Sequence, residues 1–135
     1  LIVDNDPDAA AIVEIILRAE GYACVRATGV QETVQLLEKA DAASPFGLAL
    51  VDMLLTDGTG RDVVAAIRQR AATQDIPVVL VSAMNEEPAD ALYADAYLRK
   101  PYAAQDLIRV VTDALRRRYD GHEHLMENDA PPGRR

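Results

Sequence analysis

Apolar residues in this chain fall into short runs that end on polar side chains. Leu1-Ile2-Val3 ends on Asp4-Asn5-Asp6, and Tyr22 to Ala27 ends on Thr28. Leu48-Ala49-Leu50-Val51 ends on Asp52, and Val78-Val79-Leu80-Val81 on Ser82. A weaker run, Ala96-Tyr97-Leu98, ends on Arg99-Lys100-Pro101. Unbroken apolar runs of this length predict strands covered on both faces. Between them, apolar positions recur at helical spacing. Ile12, Val13, Ile16 and Leu17 mark a first helix; Val30, Val34 and Leu37 a second, fading through Ala42 to Pro45. Val63, Val64 and Ile67 mark a third. Leu107, Ile108, Val111 and Leu115 mark the last, from about Ala104 to Arg118.

Local punctuation supports these elements. Asp6 is an N-cap type and Pro7 fits the first helical position. Gly21 is a helix stop. Thr28-Gly29-Val30-Gln31 has the form of a capping box for the second helix, and Thr59 to Asp62 can cap the third. Ala103 offers no cap, which predicts a ragged start for the last helix. Strands alternating with helices predict an α/β fold with a parallel sheet and helices on both faces. Right-handed crossovers then favour the doubly wound, flavodoxin-like, five-stranded order 2-1-3-4-5.

Composition narrows the function. The chain has 135 residues and a formal net charge of -8, room for one domain with a full core. The acidic balance argues against a nucleic-acid surface, which needs clustered Lys and Arg. No apolar run approaches the roughly 20 residues of a membrane span. With no signal peptide, the cytoplasm is the default expectation. The single cysteine, Cys24, reads as a buried, inert thiol. The chain starts on an apolar run without Met, so upstream residues or a longer parent are expected. Residues 119 to 135 lack periodicity and read as a flexible tail or linker. His122-Glu123-His124 within it carries no strong metal signal.

The chemistry gathers at the carboxyl ends of the strands, where open α/β sheets bind ligands. The first strand brings Asp4 and Asn5, the third Asp52, the fourth Ser82, the fifth Lys100. Such a set suits a divalent cation and a phosphoryl group: magnesium takes one or two carboxylates, a carbonyl and phosphate oxygens. Lys100 and the metal would neutralise charge on a transferring phosphoryl. Asp52 would be the nucleophile, becoming an acyl phosphate.

In this order and at these strand ends, Asp4-Asn5, Asp52, Ser82-Ala83 and Lys100-Pro101 resemble the receiver domain of two-component response regulators. The resemblance covers residues 1 to 118. It implies that Asp52 is the phosphoacceptor and that Asp4, Asn5, Asp52 and the Leu54 backbone carbonyl hold Mg2+. It implies that Ser82 and Lys100 contact the phosphate, that Ala83 leaves it room, and that Pro101 often follows through a cis peptide. Ser82 and Tyr97 would be the switch pair. The implied partners are a sensor histidine kinase or histidine phosphotransfer protein, and a downstream protein on the face made by the fourth helix, fifth strand and fifth helix. A homodimer is left open, as is a place at the end of a hybrid kinase. The role is regulatory, with only self-phosphorylation and slow self-dephosphorylation expected. Leu54 and Met84, two positions past Asp52 and Ser82, are apolar and cannot orient a hydrolytic water.

The chain departs from the pattern in places. Asn5 replaces an acid, which predicts weaker Mg2+ affinity, with Asp6 as a nearby substitute. Thr56 stands where receivers carry Pro. Ser82 to Lys100 is short by roughly one helical turn, predicting a short or atypical fourth helix. Two rivals follow. One is a receiver-like interaction module that is never phosphorylated. The other is a haloacid-dehalogenase-type phosphohydrolase using Asp4, with Asp6 two residues on.

Overall fold

The computed structural model describes residues 1–39, 46–83 and 94–129, with side chains through residue 117. Strands β1 (Ile2–Val3), β2 (Arg26–Ala27) and β3 (Ala49–Asp52) precede a small hairpin, β4 (Leu54–Leu55) and β5 (Gly58–Thr59). Strands β6 (Val78–Ser82) and β7 (Ala96–Arg99) follow. The helices are α1 (Pro7–Ala19), α2 (Val30–Glu38), α3 (Gly60–Arg68) and α4 (Ala104–Asp129). The main sheet runs β2-β1-β3-β6-β7 with every pairing parallel. In sheet-strand count this is the expected order 2-1-3-4-5. The shortened fourth-helix segment falls on residues 84–93, outside the described residues.

Alternation along each strand divides the core in two. On one face Val3, Val51, Val78 and Leu80 pack with Leu37 of α2 and Val63 and Ile67 of α3. On the other, Ile2, Leu50, Val79, Val81 and Leu98 pack with Val13 and Leu17 of α1 and Leu107 and Val111 of α4. All five residues of β6 are buried. At about 1.5–3 kcal/mol per buried aliphatic side chain, this two-sided burial is what fixes the strand ends in place.

Several local expectations change. Asp6 caps α1 as read, its side chain accepting the Asp8 and Ala9 N–H groups, and Gly21 ends the helix with φ +93. The buried stripe of α1 is Ala10, Val13 and Leu17; that spacing turns Ile12 outward, 59% exposed. The paired part of the second strand is only Arg26–Ala27, because its sole neighbour, β1, is two residues long. Thr28 does not cap α2: the N-cap is Gly29, and the Thr28 hydroxyl bonds Glu32 instead. The last helix starts cleanly, because Asp106 reaches back to accept the Ala103 N–H at 2.9 Å. That helix continues past Arg118 to Asp129, since no helix-breaking proline intervenes before Pro131. The stretch read as tail therefore begins as helical backbone.

Candidate functional site

Register carries the polar strand ends to one crevice. Val3 pairs with Val51, so Asp4 and Asp52 leave adjacent strands side by side. Asp52 pairs with Val81, and Ser82 with Arg99, which places Ser82 and Lys100 on Asp52's other flank. Backbone bonds carry the ladder past the strands: Asp4 N–H to Ala27 at 3.0 Å, Met53 N–H to Val81 at 2.8 Å, Lys100 N–H to Ser82 at 2.8 Å. The Lys100-Pro101 peptide is cis.

Lys100 Nζ donates to Asp52 Oδ2 at 3.2 Å. Asp52 Oδ1 accepts the Leu54 N–H at 3.3 Å. Both oxygens of the acid are thus engaged, while its side chain stays partly open to solvent. Asp4 is buried, and its Oδ1 accepts the Asp6 N–H at 2.9 Å. Ser82 is buried at the end of β6. Asn5 is exposed at the bend after Asp4. Tyr97 is half-buried in β7, opposite Leu80, against the core on the α2 and α3 side.

The electrostatics match a site short of positive charge. Burial pushes the Asp4 carboxyl above its ordinary range; the Asp6 N–H draws it down, and the Asp52 charge pushes it up again. Burial alone would lower the Lys100 ammonium, but Asp52, their hydrogen bond and Asp4 together hold it above its usual value. One lysine therefore faces two acids. The donor set fits magnesium: two carboxylates with exposed Asn5 and the Leu54 backbone beside them, all oxygen donors. Among the described residues, no cluster of three or more His, Cys, Asp or Glu gathers to hold a metal.

Asp6 does not join this set. Its carboxylate lies on the α1 amides, Oδ1 accepting the Asp8 N–H at 3.0 Å and the Ala9 N–H at 3.4 Å. Met84 and the side chains of His122, Glu123 and His124 lie outside the described residues. Three residues that the sequence reading passed over also shape the region. Tyr102 is half-buried beside the crevice; burial pushes its phenol up, Lys100 draws it down, and Asp4 and Asp52 push it up. Its signal was an aromatic directly after Lys100-Pro101. Gly60 opens α3, where a Cβ would stand 2.9 Å from the Asp52 carbonyl oxygen and 2.9 Å from Leu80. Asp57, in the hairpin after Asp52, accepts the Val30 and Gln31 N–H groups of α2, both at 2.9 Å. A turn acid before Gly58 was its only trace in the sequence.

Asp4, Asp52, Ser82 and Lys100 thus meet at the carboxyl edge of a parallel sheet, with Lys100 bonded to Asp52. The sequence pattern of the response regulator receiver domain matches residues 1–112. The chain belongs to that family. It is 34% identical to the response regulator protein PilR of Pseudomonas aeruginosa over 141 residues, covering 99% of this chain and 31% of PilR. It is 31% identical to the sensory transduction protein RegX3 of Mycobacterium tuberculosis over 131 residues, covering 94% of this chain and 55% of RegX3. The chain therefore spans about a third to a half of these relatives. Among solved structures, a response regulator of Chloroflexus aurantiacus superposes with TM-score 0.73 at 27% identity, covering 84% of this chain and 93% of that one. A CheY-like receiver domain of Methanospirillum hungatei gives 0.75 at 25% identity, covering 89% and 94%. The family is regulatory, and its members act in two-component signal transduction. No described helix is long and apolar enough to cross a membrane.

Proposed function

We propose that this domain takes a phosphoryl group onto Asp52 and reports it through a protein-interaction face. The observation that carries the reading is the Lys100–Asp52 contact of 3.2 Å with buried Asp4 alongside, at the carboxyl edge of a parallel sheet. An Asp52 carboxylate oxygen attacks the phosphorus of a phosphohistidine on a sensor kinase or phosphotransfer protein. The O–P bond forms as the N–P bond breaks, and the departing imidazole takes a proton from solvent. Asp4, Asn5, Asp52 and the Leu54 carbonyl would hold Mg2+, which supplies charge neutralisation for the transfer. Lys100 holds the acceptor oxygen's charge and then pairs with the phosphoryl oxygens.

The acyl phosphate adds about -1.5 to -2 charges at one point. The Ser82 hydroxyl and the Lys100 ammonium gain acceptors, and Tyr97 follows Ser82 inward. The output face includes β7 and α4, and a downstream protein or a second copy reads it. The Leu54 side chain, 63% exposed beside the site, cannot orient water, so the phosphoryl group is lost slowly. The working place is the cytoplasm, where such kinases present their phosphohistidine.

Incubation with acetyl phosphate and Mg2+, followed by peptide mass mapping, tests this. One phosphoryl group on Asp52 is expected, with none on an Asp52→Asn variant. No adduct, and no chemical-shift change with beryllofluoride and Mg2+, establishes the never-phosphorylated interaction module, which the missing charge at Asn5 favours. An adduct on Asp4 would establish a hydrolase; the engagement of Asp6 at the α1 N-terminus counts against it.

A further inference from the structure

The loop after Asp52 is tied at both ends. At one end Leu54 N–H bonds Asp52 Oδ1 at 3.3 Å, and Gly60 N–H bonds the Met53 carbonyl at 2.8 Å. Between these, Leu54 pairs with Thr59 and Leu55 with Gly58 in the antiparallel hairpin. At the other end, in the turn of that hairpin, Asp57 grips the first two amides of α2. Its Oδ1 accepts Val30 N–H and its Oδ2 accepts Gln31 N–H, each at 2.9 Å and from 27 and 26 residues away.

The surroundings are shaped to this contact. The α2 N-cap is Gly29, which has no side chain to cap its own helix. A Cβ at Gly29 would collide with Asp57 Oδ1. Gly58 has φ +157, and a Cβ there would meet Asp62 Oδ2 at 2.7 Å and Val30 at 2.8 Å. Asp62 in turn holds the Thr59 N–H at 2.9 Å. Asp57 thus bonds the hairpin to the first turn of α2. Thr56 stands beside it in a turn that nothing in its own chemistry stiffens.

We propose that Asp57 is a positioning residue for the phosphoacceptor site: it latches the hairpin that carries the Leu54 carbonyl to the N-terminus of α2, so that metal and phosphoryl binding at Asp52 and the order of the first turn of α2 are coupled. This rests on the phosphoacceptor reading above. The backbone hydrogen bonds that Asp57 accepts, from Gln31 and then Val30, also hold its carboxyl below the ordinary range. Coupling of this kind is reciprocal: if the latch raises Mg2+ affinity, Mg2+ tightens the latch by the same factor.

The test uses the whole chain and two readouts. Mg2+ affinity is measured by titration of amide chemical shifts, and amide exchange of Val30 and Gln31 is followed with and without Mg2+ and beryllofluoride. Exchange at both amides is expected to slow on binding in the parent. Asp57→Ala is expected to weaken Mg2+ binding by about fivefold, the low end of typical coupling. Asp57→Asn, which keeps an acceptor oxygen, is expected to restore most of it. Gly29→Ala breaks the latch from the helix side without changing any hairpin residue and is expected to match Asp57→Ala. Unchanged Mg2+ affinity in Asp57→Ala and Gly29→Ala, with faster exchange at Val30 and Gln31, reduces Asp57 to a helix cap and overturns the coupling. Failure of the parent itself to bind Mg2+ or beryllofluoride overturns the phosphoacceptor reading and the coupling together, so the two failures are told apart.

Discussion

Two acids five positions apart, one ending β3 and one in the turn of the following hairpin, are treated in opposite ways. Asp52 faces a crevice it shares with buried Asp4, with Lys100 as the nearby cation. Asp57 stands in solvent and is met by two helix amides, with no like charge forced upon it. The crevice holds negative charge away from water, and burial first, then the Asp52 charge, pushes the Asp4 carboxyl up. The latch keeps negative charge comfortable, and Asp57 shows it by its lowered one. Ligand sites hold charge that the folded protein alone does not satisfy, and a cation or phosphoryl group completes them. Structural acids are completed by the protein itself.

The largest expected effects break the crevice. Asp52→Asn removes the nucleophile, and phosphoryl uptake from acetyl phosphate falls to background. Lys100→Ala leaves the site folded but removes its fixed cation, which is expected to slow uptake by about 10²-fold, the scale for losing one charge-stabilising donor. If uptake is the same in Lys100→Ala, the 3.2 Å pair is an ordinary ion pair and the contrast with Asp57 disappears. Asp4→Asn sharpens the contrast. The amide oxygen can still accept the Asp6 N–H, while the uncomfortable charge is gone. The apo protein is expected to gain about 1 kcal/mol in urea unfolding and lose Mg2+ binding, the trade of stability against function. Asn5→Asp runs the other way. It adds a charge beside Asp4, and a rise of about tenfold in Mg2+ affinity is expected, or roughly 1.4 kcal/mol, well inside the Coulomb range for partly solvated charges.

The fold was legible because strand runs and helix stripes repeat along the whole chain, and a parallel sheet leaves few topologies. The crevice was legible for the same reason: a residue at a strand end has its place set by the core behind it. Asp4, Asp52, Ser82 and Lys100 needed only the strand order to be brought together. Residues held by contacts across long separations were not legible. Thr28 had the spacing of a cap, but the Val30 N–H is capped by Asp57, 27 positions from Val30. Ala103 had no cap of its own, and Asp106, one turn on, supplied it. Ile12 fitted the stripe of α1 by spacing, yet the rotation of that helix on the sheet turned it to solvent. In each case local pattern competed with tertiary packing, and packing decided.

The smallest effect is the one that separates the two kinds of acid by pH. Asp57 has a folded pKa below its unfolded value, set by the Gln31 and Val30 amides. Its contribution to stability is fully present above the unfolded pKa and is lost as pH falls through the folded one. Asp4 has a folded pKa above its unfolded value, set first by burial and then raised further by Asp52. Its protonated form suits the fold; the benefit is present below the unfolded pKa and is lost as pH rises through the folded one. At neutral pH, then, Asp57→Asn should be less stable than the parent and Asp4→Asn more stable. Both differences should shrink in acid: the Asp4 difference closes once pH falls below the ordinary carboxylate value, while the Asp57 difference persists further, because its folded pKa lies lower still. Urea unfolding from pH 3 to 7 measures this, and added salt should reduce the Asp57 difference more, because that acid is exposed. Two curves that separate in the same direction would mean that both acids are held alike, and the distinction between crevice and latch would fall.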